Sequence, residues 1–389
     1  MKKRILFSAS VFHYINDAAT VTVPMVFPLL YSHQVFIKKY SQIGIMSYLG
    51  LFLTFIFQII IANYAYKFEY RHMLLFSCAG ISFSLLLITF SAGFFSILVF
   101  YLMMRIFTSF YHPIGVANVA RTHPDQGLDF AMGIQSGSGN FGVFVSFVTV
   151  GYLAQNFDWK IPLYAWSFII FSLGLISYFS VSKISTLTKK SRKPDFQAWK
   201  VVLTGTKRYI PGFVFGGACW GTTIFYAPSL LNHKFNVSLG STGVYLAFWI
   251  GIGTVMTYLF GYLSRLLGRW KISFFGFIGS SIFLFVLGIA HRKEIALLSL
   301  FFFGGFLFLI YPAFQSFVGN GVSRKDQTLA FSIVSNVQML SGAIAGFIAG
   351  FLSDSFGINA PFLFLALLGL FVSGYYLKNP VAVNKKSAL

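Results

Sequence analysis

Negative charge is almost missing from this chain. Nine of its 389 residues are Asp or Glu, against 29 Lys and Arg, and all charged residues together make up 10%. A water-soluble domain carries about a quarter of its residues as charges, so an ordinary soluble protein is excluded. Cysteine is nearly absent too. Cys78 and Cys219 both lie inside apolar stretches, which leaves no disulfide framework and no cysteine-based metal site. The Walker pattern, H-E-x-x-H and the nucleophile elbow G-x-S-x-G are all lacking. Neither nucleotide-driven work nor hydrolysis is therefore expected, and no enzyme activity, cofactor or resident metal is read from the sequence.

What is present is apolar length. The chain is 57% hydrophobic, holds 50 Phe and has a mean hydropathy of +0.75, the composition of an integral membrane protein. The net charge of +20 does not gather into a nucleic-acid face. Its basic residues sit in short clusters between apolar runs, as in loops held at an anionic cytoplasmic surface. Met1-Lys2-Lys3-Arg4 opens the first such run. That run is too long and too polar for a signal peptide, so a retained first membrane helix is expected.

Runs of about 20 apolar residues suit spanning helices. Twelve are found, at roughly 6–30, 42–64, 73–93, 94–117, 129–153, 161–182, 209–231, 242–263, 272–290, 295–318, 328–352 and 361–377. Backbone polar groups cannot go unpaired in lipid, and runs without alternation exclude a barrel. An all-α membrane protein of twelve helices is expected. With the N-terminus in the cytoplasm, 22 of the 29 Lys and Arg fall on the inner side, in keeping with the positive-inside rule. A bacterial inner-membrane location with both termini cytoplasmic follows from that reading.

The segment from Lys183 to Arg208 carries eight of those charges and divides the chain. The expected organisation is a six-helix bundle over 1–182, a basic cytoplasmic linker over 183–208 and a second bundle over 209–389. A shift of 199 residues superimposes Gly44 on Gly243, Pro113 on Pro312, Ile134 on Ile333, Gly151 on Gly350, Phe157 on Phe356 and Pro162 on Pro361. One offset shared by so many positions reads as a duplicated six-helix unit, an arrangement that places a substrate site between the halves at mid-membrane depth.

Eight of the nine acids fall in loops or at span ends; Asp17 alone lies deep in a run. Arg105 is the one deep base. One anion and one cation at the same depth invite pairing, since either alone costs at least ~2.5–3.5 kcal/mol in lipid. His13 shares a helical face with Asp17, and Ser109 and His112 share one with Arg105. The functional reading makes Asp17 a proton carrier whose charge responds to Arg105 and to substrate. The bland reading is a fixed ion pair that locks two helices. His13 and His112 lack a third metal ligand of obvious spacing, so no metal is assigned to them. Asn16, Trp220, Tyr226, Gln315 and Asn336 are further candidates to line a substrate cavity, alongside the packing that aromatic residues ordinarily serve. Gly133, Gly137, Gly139 and Gly142 are read as a close-packing series with Asn140 bonded across it.

Twelve spans in two related halves, with a basic central loop, resemble the major facilitator superfamily. More narrowly, His13, Asn16 and Asp17 resemble the H-x-x-N-D pattern of fosmidomycin-resistance exporters. So do His112-Pro113, Val119-Ala120-Arg121 and Gly139-Asn140-Phe141-Gly142. The resemblance implies a proton-driven transporter that alternates between inward- and outward-open states, often a drug exporter. Three features depart from the superfamily pattern, one being that the proline typical of antiporters in the fifth span is absent from the stretch near Val143 to Phe147. Ala62-Asn63-Tyr64-Ala65-Tyr66-Lys67 has lost the glycine and acid of the loop after the second span. The second-half copy keeps Gly261, Gly268 and Arg269 but carries Arg265 where the acid belongs. The expected partners are a small-molecule substrate, protons and the lipid bilayer, with the protein working as a monomer. Import of an anionic nutrient or a metal–siderophore chelate stays open beside export, as does a non-transporting scaffold or sensor.

Overall fold

The computed structural model describes residues 2–34, 36–64, 67–123, 126–181, 196–321 and 327–379. Among these the regular structure is entirely helical. In chain order the α-helices are α1 (Lys2–Ser32), α2 (Tyr40–Tyr64), α3 (Tyr70–Thr89), α4 (Phe94–Thr108), α5 (Ala117–Thr122), α6 (Gln126–Asn156) and α7 (Lys160–Ser180). They continue with α8 (Phe196–Thr206), α9 (Ile210–Ser229), α10 (Leu239–Leu267), α11 (Arg269–Ile289), α12 (Lys293–Gly321), α13 (Gln327–Phe356) and α14 (Ala360–Lys378). Each apolar run coincides with a helix, the fourth spread over α4, a π-helical turn and α5. Ten runs among the described residues have the length and apolarity of a span. The two helices of span length outside that set are α1, which carries Ser8, His13, Asn16 and Asp17, and α9, rich in glycine and threonine.

The duplication is visible in the helix boundaries. Helices begin at Tyr40, Tyr70, Phe94 and Lys160 in the first half, and at Leu239, Arg269, Lys293 and Ala360 in the second. An offset of about 199 residues relates all four pairs, the same shift that aligns the scattered Gly and Pro matches.

The chain divides into two compact units: Met1–Ser191 with Ile224–Ala247, and Arg192–Thr223 with Phe248–Leu389. In the first, α1 packs along α6 and α7, α3 along α7 and α4, and α2 along α4. Hydroxyl pairs join these helices: Ser8 with Ser177 at 2.8 Å, Ser82 with Ser167 at 2.8 Å and Thr22 with Ser146 at 3.2 Å. In lipid a hydroxyl gains by finding such a partner, since the tails offer none. In the second unit α11 packs on α12 and α14 around an aromatic core. Phe277 lies 5.4 Å from both Phe314 and Tyr376 and 5.7 Å from Phe215, ring centre to ring centre. The Tyr376 hydroxyl accepts from the Gly212 amide and donates to the Arg208 carbonyl, each at 3.1 Å.

Two local features depart from the sequence expectation. The 183–208 segment is not loop throughout: it contains α8, while 183–195 lies outside the described residues, as do Ala65 and Tyr66 of the degenerate loop. The fourth run is not one α-helix. It ends as α at Thr108 and continues through a π-helical turn, His112–Val116, into α5. Pro113 cannot donate a backbone hydrogen bond and crowds the preceding turn. The ladder there widens by one residue, and π-turns of this kind recur at functional positions.

Candidate functional site

The site is built on α1, on the π-turn that follows α4, and on α6. His13 and Asp17 are one turn apart on α1, and His13 Nε2 lies 3.0 Å from Asp17 Oδ2. The π-turn carries His112 to the same carboxylate, its Nε2 3.7 Å from Asp17 Oδ1. The two imidazoles meet edge to face at 5.3 Å. Asn16 donates from Nδ2 to Asp17 Oδ1 at 3.1 Å, which orients the carboxylate.

Glycine opens the space that this cluster occupies. A Cβ on Gly139 would fall 2.6 Å from Asp17 Oδ2 and 2.7 Å from His13 Nε2. Any larger residue would collide with both side chains and displace them. Gly142, nearly a turn further along α6, lets that helix approach the Tyr14 carbonyl of α1 directly. Of the remaining glycines in the expected packing series, Gly133 faces open space and Gly137 is partly exposed; Asn140 is partly buried.

Two residues that sequence reasoning passed over complete the frame. His13 Nδ1 lies 2.7 Å from the Gln135 carbonyl and 2.8 Å from Gln135 Nε2, so Gln135 holds one side of the ring and Nε2 is the nitrogen turned to Asp17. Tyr111 stacks on the His13 ring at 4.6 Å, and its hydroxyl accepts from Gln135 Nε2 at 2.9 Å. The signal for Gln135 was its place one turn before Gly139 on α6; that for Tyr111 was its adjacency to His112.

The expected pairing of Asp17 with Arg105 is not formed. Asp17 is held by His13 and His112, and among the described residues no carboxylate lies at ion-pair distance from Arg105. Arg105 is 4% exposed and its Nε has no hydrogen-bond partner. Its stem packs by Gly50 and Tyr101 on the α2 side of α4. Equal depth in the membrane does not bring two side chains together when their helix faces differ. Ser109 Oγ donates back to the Ile106 carbonyl at 2.5 Å, ending α4. Tyr226 is fully buried, its hydroxyl 3.5 Å from the Tyr40 carbonyl.

The other expected cavity residues belong to the second unit. Trp220 packs against Trp249 at 5.6 Å and Phe308 at 6.1 Å. Gln315 is exposed and Asn336 half-buried. Thr222 and Thr223, beside Trp220, are buried with unpaired hydroxyls.

The family model of the Major Facilitator Superfamily matches residues 6–344. This chain belongs to that superfamily. Members of that superfamily are membrane transporters, and ten helices among the described residues of this chain are long and apolar enough to cross a membrane. The proton-coupled antiporter flippase LtaA of Staphylococcus saprophyticus is 24% identical over 250 residues, 61% of this chain and 62% of that relative's length. Solved superfamily structures share the fold at low identity. A bacterial homologue of the human lysosomal transporter Spinster superposes with a TM-score of 0.83 at 14% identity, over 96% of this chain and 95% of that one. A POT family transporter in complex with 5-aminolevulinic acid gives 0.78 at 14% identity, over 98% and 96%.

Proposed function

We propose that this transporter is a proton-coupled secondary antiporter, of the fosmidomycin-resistance type, that exports a small organic compound across the bacterial inner membrane by alternating access. The observation that carries this reading is the Asp17 carboxylate, partly buried midway along α1 and held between two imidazoles. Three titratable groups in contact, with no aqueous loop beside them in sequence, form a proton-binding device that a purely structural lock does not need. The staphylococcal relative, a proton-coupled antiporter flippase, supports the same reading. In the cycle a proton taken on one side neutralises the carboxylate, and its departure on the other restores the charge that substrate competes for. The unpartnered guanidinium of Arg105 supports an anionic group on the substrate, which keeps exchange of an anionic solute as the second reading.

The test uses inverted membrane vesicles energised to hold a pH gradient, with ethidium as a cationic probe and fosmidomycin as an anionic one. The wild-type protein dissipates the gradient when a transported probe is added. Asp17→Asn inserts at wild-type level and lowers that response at least tenfold. A variant as active as wild type would remove Asp17 from the coupling step.

A further inference from the structure

The same cluster has the composition of a metal site. One nitrogen of His13, one oxygen of Asp17 and one nitrogen of His112 all lie within 4.8 Å of one another. A bound zinc-like ion sets its ligand atoms ~3 Å apart, so His13 and Asp17 already have that separation and a rotation of His112 closes the third side. Two imidazoles with one carboxylate select first-row transition ions over calcium or magnesium, which prefer oxygen. The third ligand that spacing alone did not supply is Asp17 itself, brought to His112 by the fold.

Three further observations point to an occupant. The His13 ring is fixed from behind by the Gln135 carbonyl, the outer contact typical of a ligating histidine. Gly139 lets Asp17 Oδ2 and His13 Nε2 lie directly against α6, where a Cβ would fall 2.6 and 2.7 Å from them. The His112 side chain is 43% exposed and that of Asp17 23%, so one side of the triad stays open for exchange and for further ligands.

We propose that His13, Asp17 and His112 also bind a first-row divalent transition-metal ion, in exchange with the protons that the same groups carry. This deepens the proton reading, because ligand atoms must shed protons to bind metal and the two occupants compete for one place. The ion enters as a dication and leaves unchanged in oxidation state.

The test is a titration of untagged full-length protein in detergent with cobalt(II), followed by visible d–d absorption. The wild type is expected to develop the bands of a nitrogen–oxygen site at one equivalent, with release of protons into weak buffer. Asp17→Asn and His112→Gln, each confirmed folded by size exclusion and circular dichroism, are expected to bind at least tenfold more weakly. Gly139→Ala, which keeps every ligand but crowds Asp17 and His13 out of their places, is expected to lose the bands as well. Absent bands in the wild type, or bands equal in His112→Gln, would overturn the proposal. If the vesicle response stays Asp17-dependent while cobalt does not bind, the metal inference fails alone; if cobalt binds and Asp17→Asn still couples, the proton reading fails alone.

Discussion

Arg105 and Asp17 are the two residues whose charge lipid should not tolerate, and they meet that problem differently. Asp17 shares its charge with two imidazoles and an amide. Arg105 is 4% exposed with an unpaired Nε. Breaking a true buried ion pair costs about 3–5 kcal/mol, because the surviving charge is stranded. An unpaired cation predicts the opposite. Arg105→Met should leave thermal stability in detergent unchanged or raise it by about 1 kcal/mol, since only a desolvated charge is removed. Circular dichroism melts of the variant against wild type measure this. A loss of several kcal/mol would mean that Arg105 holds a structural partner after all.

At the scale of elements, proline-linked π-turns occur twice among the described residues: His112–Val116 follows α4, and Leu230–Lys234 follows α9 beyond Pro228. The second turn carries His233, beyond the end of the seventh apolar run and within the first unit. Its Nε2 lies 3.1 Å from the Pro28 carbonyl, and its Nδ1 2.8 Å from the Tyr40 hydroxyl. A neutral ring satisfies both contacts, donating from Nε2 and accepting at Nδ1. Burial pushes its pKa below the ordinary 6.5, while the hydrogen bond to Pro28 opposes that shift. A lowered value for a base means that the neutral form is the one favoured in the folded chain. Its contribution is complete above pH 6.5 and is lost as pH falls through the lowered value. Wild-type stability should therefore drop by about 1 kcal/mol on the acid side, the worth of one such hydrogen bond. His233→Phe should show a smaller drop between pH 8 and pH 5 in parallel melts. Identical pH profiles would separate His233 from any acid sensitivity.

For the whole molecule, the bias of Lys and Arg toward alternate loops predicts which ends face the cytoplasm. Both native cysteines are buried, so single engineered cysteines report without a strong background. Lys160→Cys should react with a membrane-impermeant maleimide in intact cells. Lys200→Cys, on an exposed position of α8, should react only after the cells are opened. The reverse pattern would invert the orientation.

The sequence alone determined the class, the number of spans and the duplication, because these rest on local quantities. A run of about 20 apolar residues must become a helix in lipid whatever its neighbours are, and a duplicated unit keeps its spacing. Asp17, His13 and His112 were legible as well, since an ionisable group inside an apolar run stands out without any partner. Their partnership was not. Asp17 and Arg105 share a depth, but helix rotation and the π-turn at Pro113 decide which faces meet. Those depend on how α1, α4 and α6 pack, with Gly139 and Gly142 setting the approach of α6 to α1. Only the tertiary structure could give the carboxylate to two histidines and leave the guanidinium without it, because close contact between helices is fixed by side-chain volume across the interface rather than by position along either chain.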